Sequence, residues 1–278
     1  MRTTSNPVFK NLPKQEGGYA TFGSAQAGAA QMSQGFGQQY QAPEQYQTPS
    51  RAMTIDDVVT KTAITLGVLT ISAIVSYFLV DGNPNLAAPL VIGGGLVGFV
   101  LVMVASFGRK MDNPAIVLAY AVCEGLFLGA LSFLMTFQIQ GADASVLIGQ
   151  AVLGTFGVFF GMLVVYKTGA IRVTPRLTRM IIGGLIGVVV LVLGNMVASF
   201  FTDGGFGLRD GGTVAIIFSL VCIALAAFSF LLDFDAADEL IRAQAPEKAA
   251  WGVALGLTVT LVWLYVEILR LLSYFNND

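Results

Sequence analysis

The sequence predicts an all-α integral membrane protein, a bundle of seven transmembrane helices. Three observations carry that prediction. The 278 residues are 55% hydrophobic and only 12% charged, about half the charge of a soluble domain. The apolar residues gather in long runs after residue 50, each near the ~20 needed for a span. Polar breakers containing Gly, Pro, Asn and Asp separate those runs at regular intervals.

Residues 1–52 read as a tail apart from the bundle of 53–278. Gln31 to Ser50 alone holds seven Gln, three aromatic residues and two Pro. That composition buries too little apolar area to offset its ordering entropy, which predicts a disordered Gln/Gly-rich cytoplasmic tail. No apolar segment of a signal peptide follows Met1–Arg2. The tail reads as a tether or partner site, or as a solvated extension without a partner. Order begins near Met53, where Thr54 stands three residues before Asp57, a capping pattern for a helix start.

The spans are expected over 58–80, 86–107, 113–137, 144–166, 178–201, 212–235 and 250–275. Asp81–Pro84 breaks the first pair and Gly108–Pro114 the second, with Pro114 suited to a first helical turn. Gln140–Asp143, the basic loop Lys167–Arg179, the glycine-rich Thr202–Gly212 and the Arg242–Lys248 turn separate the others. Lys and Arg set the orientation. Thirteen lie on the tail side, Arg209 alone lies in the opposite loops, and Arg270 lies within the last span. The N-terminus is therefore expected in the cytoplasm and the C-terminus outside, in the plasma membrane. Small-xxx-small pairs at Gly94/Gly98, Gly125/Gly129, Gly157/Gly161, Gly183/Gly187 and Gly252/Gly256 point to close helix packing.

Composition excludes several functions. There is no histidine, which removes Ser–His and Cys–His catalysis, HExxH zinc chemistry and rhomboid-like proteolysis. Cys123 and Cys222 stand in apolar runs and read as small core residues. The last span lacks a mid-helix lysine for retinal, and no GxGD marks an aspartyl protease. Asp235-Ala236-Ala237-Asp238 is a DxxD without the second cluster a prenyl transferase would need. A net charge of −2 gives no field for nucleic acid. The expectation is a chain that is not an enzyme and holds no cofactor.

Acids at membrane depth carry the functional reading, because each costs at least ~2.5 kcal/mol unless it is neutral, paired or wetted. Glu124 lies halfway along the third span with no charged neighbour within a turn, so it is either a protonated structural acid or lines a cavity. Asp233 and Asp235 lie near the end of the sixth span, two apart and so facing different sides; Asp238 shares the Asp235 face. Glu267 lies inside the seventh span, three residues before Arg270, which can neutralise it locally. The run from Lys248 to Phe275 is ~42 Å long at 1.5 Å per residue, longer than the ~30 Å hydrocarbon core. Glu267 would then sit near mid-membrane and Asp235 nearer the cytoplasmic boundary, and a contact between them needs a bend or tilt. If they met, they would share one proton, and its loss would leave two anions that repel or attract a hard cation such as Ca²⁺.

Glu124-Gly125-Leu126-Phe127-Leu128-Gly129, Phe234-Asp235 and Leu264-Tyr265-Val266-Glu267, in that order on seven spans, resemble the Bax inhibitor family, including its bacterial YccA/YetJ-type members. Met53 to Thr62 and Leu257 to Tyr265 resemble an actinobacterial branch. The resemblance covers about 53–275. It implies a pH-sensitive calcium leak through a bundle whose last helix is central. It also implies a gate of two acids on spans six and seven, which map by position onto Asp235 and Glu267. A basic partner at the end of span two maps onto Arg109. Some relatives restrain a membrane-embedded protease, so a non-conducting regulator that binds another membrane protein is the alternative. Expected partners are the lipid bilayer, Ca²⁺ and protons.

Overall fold

A computed structural model describes residues 51–137, 144–202 and 205–276. The first 50 residues, most of the expected tail, lie outside them. Seven helices follow one another, each long and apolar enough to cross a membrane. They are α1 (Ile55–Gly82), α2 (Ala87–Phe107), α3 (Pro114–Phe137), α4 (Ala144–Thr168), α5 (Pro175–Ala198), α6 (Thr213–Arg242) and α7 (Ala250–Asn276). The chain is a seven-span, all-α membrane protein.

The helix starts follow local chemistry. Thr54 caps α1 in a full capping box: its hydroxyl accepts from Asp57 N at 3.3 Å, and the Asp57 carboxylate accepts from Thr54 N at 2.9 Å. Asn113 accepts from Ala115 N at 2.9 Å before α3. Thr174 caps α5 with Pro175 in its first turn. Four boundaries lie three or more residues from the sequence reading. α1 begins at Ile55 rather than 58, and α5 covers Pro175–Ala198 rather than 178–201. α6 runs to Arg242, two turns past the expected end at 235: Ala237, Leu240 and Ile241 pack against the core, and Asp238 and Arg242 pair at (i, i+4) on the outer face.

α7 is the central helix. It packs against α1, α3, α4 and α6, and 67% of its apolar window is buried, against 50% for α3 and 6% for α5. On one side, Leu257, Leu261 and Leu264 meet Phe230 and Phe234 of α6, onto which Phe159 of α4 packs edge-on. On the other, Val262 and Val266 meet Leu128 of α3. α5 is peripheral and packs chiefly on α6.

The glycine pairs divide. Gly125 and Gly129 lie so close to α1 that a Cβ would strike the Leu69 and Ala73 carbonyls, and Gly94 bears as closely on Cys123 and Phe127 of α3. Ser72 and Ser76 of α1 seal that contact by donating to the Val122 and Leu126 carbonyls at 3.1 and 2.6 Å. Gly157, Gly161, Gly183 and Gly187 have open space where a Cβ would stand. The fifth pair is intermediate: a Cβ on Gly252 would lie 3.2 Å from Met111, and one on Gly256 would be in ordinary contact with Asp233 at 3.8 Å. Of the tight packing expected of all five pairs, the closest therefore belongs to α1, α2 and α3.

At the end where α1, α3 and α7 begin, here called the basic end, Arg51 to Met53 forms a strap. Ala52 makes a β-bridge with Pro246, Met53 N donates to Ala245 O at 2.8 Å and Glu247 N donates to Arg51 O at 2.9 Å. Lys61 donates to the Glu247 carbonyl at 2.7 Å. Order thus begins at least at Arg51, and two residues assigned to the tail belong to the bundle.

Candidate functional site

Two cavities of about 540 Å³ each flank α7. The first belongs to the basic end. Ser106, Arg109 and Asp112, from the end of α2 and the turn after it, line it together with Asp233 of α6 and Gly252 and Gly256 of α7. Asp233 Oδ2 accepts from the Thr260 hydroxyl at 2.7 Å, while Oδ1 makes no hydrogen bond among the described residues. Arg109 adopts left-handed backbone, φ 52°, which costs a non-glycine residue roughly 1–2 kcal/mol. Asp112 pairs with Lys248 at 2.9 Å, and that hydrogen bond holds its carboxyl below the ordinary aspartate range. No ion pair joins Arg109 to Asp233 among the described residues.

The second cavity lies between α5, α3 and α7 and reaches towards the opposite end. Tyr120 and Glu124 line it from α3; Arg209, Glu267 and Arg270 stand at its far end. Glu124 packs against the bare backbone of α2, where a Cβ on Gly98 would sit 2.5 Å from its Oε2. Its carboxylate makes no hydrogen bond among the described residues. Glu267 Oε1 accepts from Arg270 at 2.8 Å, and Arg209 stands 3.7 Å from the same oxygen.

The depth of each acid follows from the helix register. The Ser132 and Tyr265 hydroxyls are 2.8 Å apart, which sets α3 against α7. Glu124, eight residues before Ser132, is then level with Leu257. Asp233 is level with Thr260, so the two acids lie within about 5 Å in depth on different sides of α7. Between the cavities, Tyr120 packs against Leu255, with Val259 beside it.

The expected Asp235–Glu267 contact is not formed. Asp235 lies about 3 Å nearer the basic end than Asp233, and Glu267 lies about 10 Å beyond Thr260 in the opposite direction. α6 and α7 run antiparallel, so this register holds the two acids apart. Asp235 and Asp238 instead share one face, as their spacing requires, and both approach the Tyr166 hydroxyl, at 3.4 and 3.1 Å. Asp233 is the α6 acid that meets α7, and it meets a hydroxyl. Glu267 takes the local pairing with Arg270 that its (i, i+3) spacing allowed. Thr260, Tyr166 and Arg209 did not stand out in the sequence as site residues. Only Arg209 had a signal, as the single basic residue in the loops opposite the tail.

A helical bundle with ionisable groups held at membrane depth on two sides of a central seventh helix defines a polytopic membrane protein built around that helix. The chain belongs to the family described as Bax inhibitor 1 like, which matches residues 6–277. An uncharacterized protein of Chlamydia muridarum is 32% identical over 97 residues, covering 34% of this chain and 39% of that protein. An uncharacterized membrane protein of Streptococcus pyogenes serotype M3 is 28% identical over 226 residues, 75% of this chain and 87% of that one. A counterpart from serotype M1 is 26% identical over 223 residues with the same coverage.

Proposed function

We propose that the protein is a non-enzymatic, pH-sensitive leak or exchange path for Ca²⁺ in the plasma membrane, with the basic end in the cytoplasm. One observation carries the reading: cavities on two sides of α7 reach the same depth to within about 5 Å, one lined by Asp233 and the other by Glu124. Each acid has at least one oxygen without a donor. A hard divalent cation favours such oxygens, and only a short stretch around Tyr120, Leu255 and Val259 separates them. The gate proposed here uses Asp233 with Thr260, rather than Asp235 with Glu267. Arg109 shares the Asp233 cavity and competes with the cation for that carboxylate; Asp112 is occupied by Lys248. Protonation of Asp233 would remove the charge that attracts Ca²⁺, so flux should rise with pH.

The test is Ca²⁺ flux into liposomes holding the purified full chain, from pH 6 to pH 8. Asp233→Asn should lower flux by roughly tenfold, the effect of ~1.4 kcal/mol, and flatten its pH dependence. Asp235→Asn should do neither. Equal loss in both variants, or a flux insensitive to pH, overturns the gate. No flux above empty liposomes would favour the second reading, a regulator of another membrane protein. That reading draws on the strap, in which Arg51 to Met53 bind the α6–α7 turn.

A further inference from the structure

The cavity at the end opposite the strap gathers positive charge at its far end. There one carboxylate, Glu267, faces two guanidiniums, Arg270 at 2.8 Å and Arg209 at 3.7 Å, and the other acid of the lining, Glu124, lies about 15 Å away in depth. Arg209 makes no hydrogen bond among the described residues, since 3.7 Å is too long for one. Its side chain is nonetheless only 35% exposed, and burial beside Arg270 pulls its pKa below the ordinary arginine value. Among the described residues, the Tyr274 hydroxyl, buried next to the 205–212 turn, lacks a partner. So does Glu267 Oε2, in a side chain only 3% exposed. Unmet buried donors and acceptors are costly, at ~1–3 kcal/mol each. A half-buried guanidinium without a hydrogen bond and a buried, unpartnered carboxylate oxygen on one cavity describe a ligand with both an anionic group and a hydroxyl or amine donor.

The rest of the cavity identifies the ligand's other half. Its walls are apolar, from Leu185, Val189 and Leu193 on α5, Val262 and Val266 on α7, and Phe127 on α3. α5 packs chiefly on α6, and Val189 is largely exposed, so the groove between α5 and α3 lies beside the bilayer. Arg270 is about 9 Å from the end of α7, a depth suited to a lipid head. The volume of about 540 Å³ is within the ~300–1,000 Å³ of small-ligand sites. Basic pockets between transmembrane helices hold acidic lipid heads.

We propose that this groove binds an anionic phospholipid whose head carries a hydroxyl, as phosphatidylglycerol does. The phosphate is held by Arg209 and Arg270, the head hydroxyl donates to Glu267 Oε2, and an acyl chain lies along α5. Phosphatidylcholine offers a similar chain but neither net charge nor a donor.

The test uses the full chain, purified and delipidated in detergent. Phosphatidylglycerol, phosphatidylcholine with identical chains, and inorganic phosphate are each added, and lipid retention is read by native mass spectrometry beside the apparent Tm. Phosphatidylglycerol should be retained about tenfold more tightly than phosphatidylcholine and should raise Tm. Arg209→Gln, in an interhelical turn, should abolish the preference. Val189→Trp should block the groove and lower retention with the charges intact. Equal retention of the two lipids, or a preference surviving Arg209→Gln, overturns the proposal. Equal stabilisation by inorganic phosphate also overturns it, by making this a free-anion site. None of these readouts involves flux, so the result is independent of the proposed leak.

Discussion

At the residue scale, Asp233 depends on one hydroxyl. Thr260 donates to it at 2.7 Å and is only 8% exposed. Thr260→Val keeps the shape and leaves the carboxylate without its donor, a cost of about 1–3 kcal/mol. Unfolding free energy in detergent should fall by that amount, whereas Thr260→Ser should stay close to wild type. Asp112 gives a pH prediction. Lys248 holds its pKa below the ordinary value of 3.8, so the pair contributes above that value, and the contribution is lost as pH falls through the lowered pKa. Asp112→Asn should lower stability slightly at pH 7, by less than about 1 kcal/mol because solvent screens the pair. The gap to wild type should close towards pH 3; a gap that widens on acidification contradicts this account. The Glu267–Arg270 pair was legible in the sequence because (i, i+3) neighbours share a face whatever surrounds them. Asp233–Thr260 was not, because residues 27 apart meet only once the rotation of both helices is set.

At the element scale, identical glycine spacing has two outcomes. Gly129 lies against the Ala73 backbone and the Ser76 side chain. Gly129→Ala must therefore separate α1 from α3 and disturb Ser76, whose hydroxyl is bound to Leu126 O. A loss of about 1–3 kcal/mol is expected from such overpacking. Gly157→Ala meets nothing within 4 Å, and by helix propensity in water it should be neutral or stabilising by up to about 1 kcal/mol. Thermal melts of the two variants side by side check this, and equal losses would show that the open face of α4 is packed. Glycine in a span permits close approach but does not require it; the partner helix decides.

At the scale of the whole molecule, α7 organises the bundle because it alone buries most of its circumference. Phe230 is fully buried where α6 meets it. Phe230→Ala should cost about 3–5 kcal/mol, measurable by unfolding in mixed micelles. Orientation is tested on intact cells in a Cys123→Ser/Cys222→Ser background. Phe206→Cys should react with an impermeant thiol reagent from outside, and Arg172→Cys only after lysis. The reverse pattern would put the basic end outside.

The sequence by itself determined the seven spans, the absence of histidine chemistry and the acids that would be expensive to bury. These depend on run length, composition and local spacing, which a linear chain states outright. Family membership was also legible, since short motifs in a set order survive without coordinates. Which acids share a cavity was decided only by the tertiary structure. About half a turn of α6 separates Asp233, facing Thr260, from Asp235, facing Tyr166, and the register of α7 carries Glu267 about 10 Å beyond Thr260. Helix rotation and register arise from packing among all the neighbours at once, and no local pattern encodes them.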